Sequence, residues 1–381
     1  MFNFWINHLY SLAIFLCVVS IITIINLLTI KKIKRYRLLK DFPRVSVLVP
    51  ARNEENNIGR CVRSLLLQAY PRLEILVLDD HSTDRTLNIL RELQKEYPKL
   101  KVMQGQPLPG GWLGKHWACH QLFEASTGDF VLFTDADTTH NPETLKQAVS
   151  AICLERADML TAMVHLEIGS VGEGLLVPFM YWSLLTFFPL KLAAKIKSQK
   201  ISASVGQFIL FKRIAYEQIG GYAAIKNQIL DDFLLGRNIL QHKLNWCFAD
   251  AIDLVSCRMY TSLEEAVRGF SKSLFAVFNR KILLFIFVFL YLLTLYFEPI
   301  IVLMLRIMNV SPPSVPFAPL LASIILSILQ QWICYQRMKI PTLYAFLYPL
   351  SILVAAFTAF HSLWSHIFKT AQWKGRRVGK V

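Results

Sequence analysis

Asp135-Ala136-Asp137 directly follows the apolar run Phe130–Phe133. Residues i and i+2 of an extended chain point the same way. Two carboxylates so spaced can grip one hard divalent cation and leave positions for water and phosphate oxygens. Alone, such a pair reads as a solvated acidic turn, but it is not alone here. Pro50-Ala51-Arg52-Asn53-Glu54-Glu55 and Asp79-Asp80-His81-Ser82-Thr83-Asp84 also close short apolar runs. A further pair, Asp231-Asp232, reads by itself as the acidic first turn of a helix, favourable with the dipole there.

These clusters need a scaffold, and the pattern between them supplies one. Val45–Val49 is a β-branched run ending at Pro50, and a helical spacing follows through Ile58, Val62, Leu65 and Leu66. Leu73–Leu78 is nearly all apolar, as a parallel strand covered on both faces should be. Ser82-Thr83-Asp84 can cap a helix over Arg85–Tyr97. Leu100–Met103 and Asp129–Thr134 read as strands and Lys115–Ala125 as a helix; Asn141-Pro142-Glu143 opens another, with Asn141 as its cap. Gly206–Phe211 reads as a later strand, before a Gly220-Gly221-Tyr222 turn. The alternation predicts a doubly wound α/β sheet, whose ligands bind beyond the carboxyl ends of the strands. All three strand-end clusters fall at that edge. A Gly-X-Gly-X-X-Gly fingerprint, a Gly-X-Ser-X-Gly elbow and a Walker lysine loop are absent, which weakens dinucleotide, hydrolase and P-loop readings.

With 54% hydrophobic and 18% charged residues and a mean hydropathy of +0.41, the chain is more apolar than an ordinary soluble protein. His8–Ile30 is long enough to cross a bilayer, and the basic run Lys31–Arg37 follows it. That order predicts an uncleaved anchor with its C-terminal end in the cytoplasm. Leu283–Leu305, Val315–Ile333 and Thr342–Phe360 are further apolar stretches, the first carrying Glu298-Pro299 as a kink or interfacial point. Leu175–Leu190, broken by Pro178 and followed by the basic Lys191–Lys200, suits a helix lying in the membrane surface. The expected organisation is an anchor with its basic flank at 1–40, a cytoplasmic domain at 41–280 and a membrane region with a basic tail at 281–381. Three C-terminal crossings would leave the tail Lys374–Lys380 outside, against the positive-inside tendency. Either one stretch is re-entrant or Leu175–Leu190 inserts more deeply. The net charge of +15 clusters beside apolar segments, favouring anionic lipid head groups over nucleic acid as the partner. Seven scattered cysteines imply no disulfide framework. His116, Cys119 and His120 lack a second pair to complete a zinc site, so packing is the preferred reading.

Val-Pro-Ala-Arg-Asn-Glu-Glu at 49–55, Leu-Asp-Asp-His-Ser-Thr-Asp at 78–84, Thr-Asp-Ala-Asp at 134–137 and Ile-Leu-Asp-Asp-Phe-Leu-Leu-Gly-Arg at 229–237 occur in this order. Together they resemble a membrane-bound family 2 glycosyltransferase of GT-A fold, over roughly Arg44–Tyr260 and into the C-terminal membrane region. Pro-Gly-Gly-Trp-Leu-Gly-Lys at 109–115 is similar to the carotenoid- and hopanoid-associated branch. The resemblance implies a nucleotide-sugar-binding, Rossmann-like mixed sheet with N- and C-terminal transmembrane helices. It implies that Pro50, Ala51, Arg52, Asn53 and Glu54 line the nucleotide pocket. Asp79 or Asp80, with Asp79 preferred, would contact base and ribose. Asp135 would approach ribose or metal, and Asp137 would ligate Mg²⁺ or Mn²⁺ at the diphosphate. Lys115 is either a second positive charge at the phosphates or a solvated lysine at a helix start. Asp232 would be the base of an inverting transfer, with Asp231 as its positioning neighbour, although Asp-Asp stands where Glu-Asp is common. Gln207 either faces the acceptor or is an ordinary buried strand residue. The Gln-X-X-Arg-Trp element of processive relatives is missing; Arg268–Ser273 stands in its place, so a single sugar transfer is expected. Trp373-Lys374-Gly375-Arg376 resembles a tail element of related enzymes and reads equally as a basic membrane flank. The implied partners are a nucleotide-diphospho-sugar, UDP favoured, and a membrane lipid acceptor. A carotenoid or hopanoid hydroxyl leads; polyprenyl phosphate or diacylglycerol is the alternative, and a non-enzymatic membrane sensor or transporter stands behind both.

Overall fold

The computed structural model describes residues 2–197, 203–310, 315–368, 370, 372–373 and 376–377. Lys200 and most of the basic tail, including Lys374, Gly375 and Lys380, lie outside the described residues. The chain opens with α1 (Phe2–Thr29). β1 (Val45–Ala51), α2 (Ile58–Leu66), β2 (Leu73–Asp79), α3 (Thr86–Glu96), β3 (Leu100–Gln104), α4 (Gly114–Ala125) and β4 (Phe130–Thr134) then alternate as the pattern predicts. Next come β5 (Thr138–His140), α5 (Thr144–Leu154), β6 (Met159–Met163), β7 (His165–Leu166), α6 (Val171–Leu176), α7 (Phe179–Phe187) and α8 (Leu190–Ile196). The chain continues through β8 (Phe208–Lys212), α9 (Arg213–Gln218), α10 (Asp231–Gln241), β9 (Trp246–Asp250), β10 (Val255–Cys257) and α11 (Leu263–Ser271). Three long helices follow: α12 (Ile282–Ile307), α13 (Phe317–Met338) and α14 (Tyr348–Ile367).

Contacts divide the chain into two units that cut across the contiguous boundaries expected at 40 and 280. An α/β unit holds 30–167, 190–259 and 374–381; a helical unit holds 1–29, 168–189 and 260–373. The basic flank joins the α/β unit for a visible reason. Lys31 Nζ lies 2.6 Å from a Glu155 carboxylate oxygen, Lys32 Nζ lies 3.2 Å from Asp253, and the Tyr36 hydroxyl donates to Glu155. Two of the basic residues expected to meet lipid head groups are therefore paired with acids of their own domain, while Lys34, Arg35 and Arg37 remain exposed.

In the α/β unit a seven-stranded sheet runs β3-β2-β1-β4-β8-β6-β9. β1 is flanked in parallel by β2 and β4, and Val45, Val47, Leu48 and Val49 are fully buried in it. α2 packs through Ile58, Cys61, Val62 and Leu65, the i, i+3, i+4, i+7 stripe of an amphipathic helix. The doubly wound reading describes β1 to β4; β8 departs from it, running antiparallel to both β4 and β6. That reversal pairs Phe208 with Thr134, so the start of β8 lies beside the end of β4. The expected cap Asn141 accepts from the Glu143 N–H, but α5 begins only at Thr144. The Asn141 N–H is held by the Leu254 carbonyl at 2.7 Å, outside the helix.

In the helical unit, Ile6–Thr29, Ile282–Ile307, Phe317–Met338 and Thr342–Ile367 are each long and apolar enough to cross a membrane. Pro299 sits within α12 without ending it. Pro178 splits the Leu175–Leu190 run into α6 and α7. α7 is not left lying apart on a surface. Asn26 of α1 donates at 2.7 Å to both Leu185 and Phe188 carbonyls, satisfying the C-terminal end of α7. Trp182 packs edge-on against Tyr296 of α12 at 5.4 Å.

Candidate active site

The loops after β1 and β2 are stitched together. Asn53 adopts a left-handed backbone (φ 52°), and its side-chain oxygen accepts from Thr83 N at 2.8 Å. Its own N–H donates to Ser82 Oγ, Glu54 N donates to Thr86 Oγ1, and Glu55 N donates to Asp84. Arg52 spends its guanidinium on the Asp80 and His81 carbonyls, so it shapes the loop through backbone contacts. Ala51 is buried, and its carbonyl accepts from Asp80 N. Asp79 is 2% exposed; one carboxylate oxygen accepts from Ser82 N at 3.3 Å, and the other, Oδ1, is buried with no partner among the described residues. A buried carboxylate oxygen without a donor is costly unless a ligand supplies one.

On the other side of β1, the Asp135-Ala136-Asp137 turn is fixed from beneath. The Asp135 carbonyl accepts from Thr138 N at 3.2 Å and Thr138 Oγ1 at 2.8 Å, with the Cys61 thiol behind at 3.8 Å. Arg258 N donates to the Asp137 carbonyl, and the buried Cys257 thiol bonds the Asp137 carboxylate. Burial first, then Asp137 and Asp135, push that thiol well above its ordinary range. Pairing of Ala51 with Asp79, and of Leu48 with Phe133, means Asp79 and Asp135 flank the end of β1. Two strand spacings separate their backbones, about 10 Å.

Lys115, at the start of α4, joins this turn to the second acidic pair. Its Nζ lies 2.8 Å from Asp135 Oδ1 and 3.4 Å from Asp231 Oδ2, and its side chain is 25% exposed. The solvated-lysine reading is therefore corrected: two carboxylates hold it. Burial would lower its pKa, but Asp135 and Asp231 outweigh that and raise it well above the usual value. Asp231 and Asp232 occupy the first turn of α10. Burial pushes the Asp231 carboxyl up, and the Lys115 ammonium, with the Tyr222 hydroxyl donating at 3.3 Å, brings it below the usual range. Asp232 has no such cation of its own. Burial and the charge on Asp231 raise it to about 7, against a bond from Phe233 N. Gly206 lies against Asp232, where an added Cβ would sit 3.6 Å from Oδ2. Gln207, next in the chain, is 7% exposed, and its Oε1 has no partner among the described residues.

Of the residues singled out from sequence, Lys115, Asp135 and Asp231 meet directly, Asp232 stands next to Asp231 within reach of their charges, and Asp79 with the 50–55 loop forms a neighbouring end of the same strand edge. His116, Cys119 and His120 do not converge. His116 bonds the Ile225 carbonyl and packs on Tyr222, while His120 stacks on Trp112. Sequence reading missed Tyr222, Thr134, Thr138 and His140. The last three belong to the run Thr134–His140 after an apolar strand, polar but for Ala136, the one signal that pointed to them.

Residues 46–220 match the model of glycosyl transferase family 2. The 4,4'-diaponeurosporenoate glycosyltransferase of Staphylococcus haemolyticus is 26% identical over 60% of this chain and 60% of its own length. The beta-monoglucosyldiacylglycerol synthase of a Synechocystis species is 38% identical over 28% of this chain and 22% of its own. The chain thus spans less than two-thirds of either curated relative. Among solved structures, the mannosyltransferase PcManGT from Pyrobaculum calidifontis, in complex with GDP-Man and Mn²⁺, is 16% identical. It aligns over 92% of this chain and 99% of its own with a TM-score of 0.52, a likeness of fold.

Proposed function

We propose, from the premise that this chain carries a glycosyltransferase family 2 domain, that it is a membrane-bound inverting hexosyltransferase. The donor would be a nucleotide-diphospho-sugar, UDP favoured, and the acceptor a membrane lipid hydroxyl of carotenoid or hopanoid type. One observation carries the reading: Lys115 bridges the strand-end carboxylate Asp135 to the helix-start pair Asp231-Asp232. A phosphate-side group and a base-side group are thereby held within one side chain's reach.

In this reading the orphaned Asp79 oxygen accepts a donor group from base or ribose, within the pocket of Pro50–Glu54 and Asp80. Asp135 and Asp137 offer only hard carboxylate oxygens, and no group of three metal-ligating side chains occurs among the described residues. That set fits Mg²⁺ or Mn²⁺, which bind through one or two carboxylates with substrate phosphate completing the shell. When bound, the cation would act as a Lewis acid toward the departing diphosphate. Asp232, raised to about 7, takes the proton of the acceptor hydroxyl as its oxygen attacks the anomeric carbon. Asp231 stays ionised on Lys115, and Gln207 faces the acceptor with its unpartnered amide oxygen.

The four long apolar helices support a lipid acceptor and a catalytic domain on the cytoplasmic side of a multi-pass protein. Diacylglycerol is the alternative acceptor, favoured by the Synechocystis relative's name. Polyprenyl phosphate is a further alternative, for which Lys195, Lys197 and Lys200 are the candidate phosphate-binding lysines: Lys195 is exposed, Lys197 is bonded to Asn245 at 2.7 Å, and Lys200 lies outside the described residues. A sensor or transporter would have no use for the Lys115-centred cluster. Mass spectrometry of lipid extracts from cells with and without the gene tests the proposal. A glycolipid missing from the deletion would name sugar and acceptor; an unchanged glycolipid profile would sink the lipid reading.

A further inference from the structure

We infer that His140 is a positioning residue for the Asp135-Ala136-Asp137 turn, acting as an obligatory hydrogen donor beneath it. Thr134, Thr138 and His140 are 1%, 0% and 4% exposed, so no solvent serves them. Each threonine has one hydroxyl hydrogen to give. Thr134 gives its hydrogen to the Gln207 carbonyl at 2.8 Å, and Thr138 gives its own to the Asp135 carbonyl at 2.8 Å. The two hydroxyl oxygens lie 3.0 Å apart with no hydrogen of their own left between them, and the Cys61 thiol, a weak donor, stands 3.9 Å from Thr138 Oγ1. His140 Nε2 stands 3.2 Å from the first and 3.0 Å from the second.

Donor accounting then fixes the tautomer. Nε2 carries the hydrogen and shares it between the two oxygens, leaving Nδ1 bare, in keeping with its lack of any partner among the described residues. The ring cannot be replaced by an apolar one without stranding the Thr134 oxygen and leaving Thr138 only the weak and longer Cys61 contact. Thr138 in turn holds the Asp135 carbonyl, and Thr134 holds the Gln207 carbonyl just before β8. One N–H therefore sets the turn that presents Asp135 and Asp137 relative to the start of β8. The consequence for ligand binding rests on the proposed function, in which those carboxylates serve the diphosphate end.

The test compares His140→Leu, which removes the donor, with His140→Gln, whose amide nitrogen reaches the Nε2 position. Full-length protein in detergent is followed by amide hydrogen exchange across 134–140 and by titration with UDP and GDP in the presence of Mn²⁺. Expected for His140→Leu is exchange in this segment about tenfold faster and nucleotide binding weaker on the order of tenfold, as for lost outer-shell partners of metal ligands. Exchange elsewhere stays unchanged, and His140→Gln stays near wild type in both. Unchanged local exchange in His140→Leu, or equal losses in Leu and Gln variants, would overturn the inference. Thr138→Val, isosteric and lacking the hydroxyl, gives the same exchange comparison if His140→Leu fails to fold. Wild-type protein that binds neither nucleotide would count against the transferase reading, while the exchange data still decide the role of His140.

Discussion

Asp231 and Asp232 are chemically identical neighbours with opposite fates, and the cause is one lysine. Lys115 neutralises the first and leaves the second beside a permanent negative charge. A base must be ionised to accept a proton, so below about pH 7 the active fraction falls tenfold per unit, and above it the rate is level. The pH profile of kcat/KM should show this acid limb. Asp232→Asn should cost on the order of 10²–10⁴-fold in turnover, with nucleotide affinity retained by calorimetry. Lys115→Met removes a positive charge that lowers both carboxyls, so the acid limb should move to higher pH; a limb that stays put would remove Lys115 from this role. Asp137→Ala should lose metal-dependent turnover while the thermal unfolding midpoint is kept, and retained turnover would refute its assignment. The acidic pairs could be read in sequence because their spacing is local. The link through Lys115 could not, because only the folded sheet brings α4, the end of β4 and the start of α10 together.

At the level of elements, β1 to β4 were legible from short apolar runs; the structure lengthens β1, β2 and β3 by one or two residues and trims Asp129 from β4, while the parallel pair β6 and β9 was not read. β8 shows the limit. Phe208–Phe211 reads as a buried strand in either direction, and nothing local states that it runs antiparallel between β4 and β6. Yet that reversal is what brings Gln207 to the site. Gly128, just before β4, has a role that composition alone hides. An added Cβ would lie 2.5 Å from the backbone nitrogen of Ser46 and 2.8 Å from the Phe130 carbonyl oxygen, neither of which can swing aside. Gly128→Ala should therefore destabilise the α/β unit by about 1–3 kcal/mol, the usual range for overpacking, measured as a lowered unfolding midpoint. An unchanged midpoint would show that β1 and β4 can part without cost.

For the whole molecule, the long apolar helices were visible because a membrane crossing needs an uninterrupted run, which the eye and the hydropathy average both find. α6 and α7 were harder: Pro178 interrupts them, and residues remote in sequence, among them Thr23, Asn26 and Tyr296, reveal where α7 belongs. The protein should stay in the membrane pellet through an alkaline carbonate wash, detected by immunoblot; release into the supernatant would contradict a multi-pass chain. The basic flank divides similarly, since charge alone did not say that Lys31 and Lys32 pair with Glu155 and Asp253.

The position of residues 168–189 within the chain has a consequence for biogenesis. β6 is made before that apolar excursion, and both of its sheet partners, β8 and β9, are made after it. A nascent chain halted at residue 167 would present β4 with one open edge and β6 with no neighbour in the sheet. If residues 168–189 enter a membrane, the ribosome must deliver them to the insertion machinery while half a sheet waits unpaired. Lys115 and Asp135 emerge before this segment and Asp231 and Asp232 after it, so the Lys115-centred cluster cannot close until the segment has been passed. For the same reason no single contiguous fragment leaves out residues 168–189 and keeps the contact of Lys115 with Asp231, and a version without that segment would need it replaced by a designed linker.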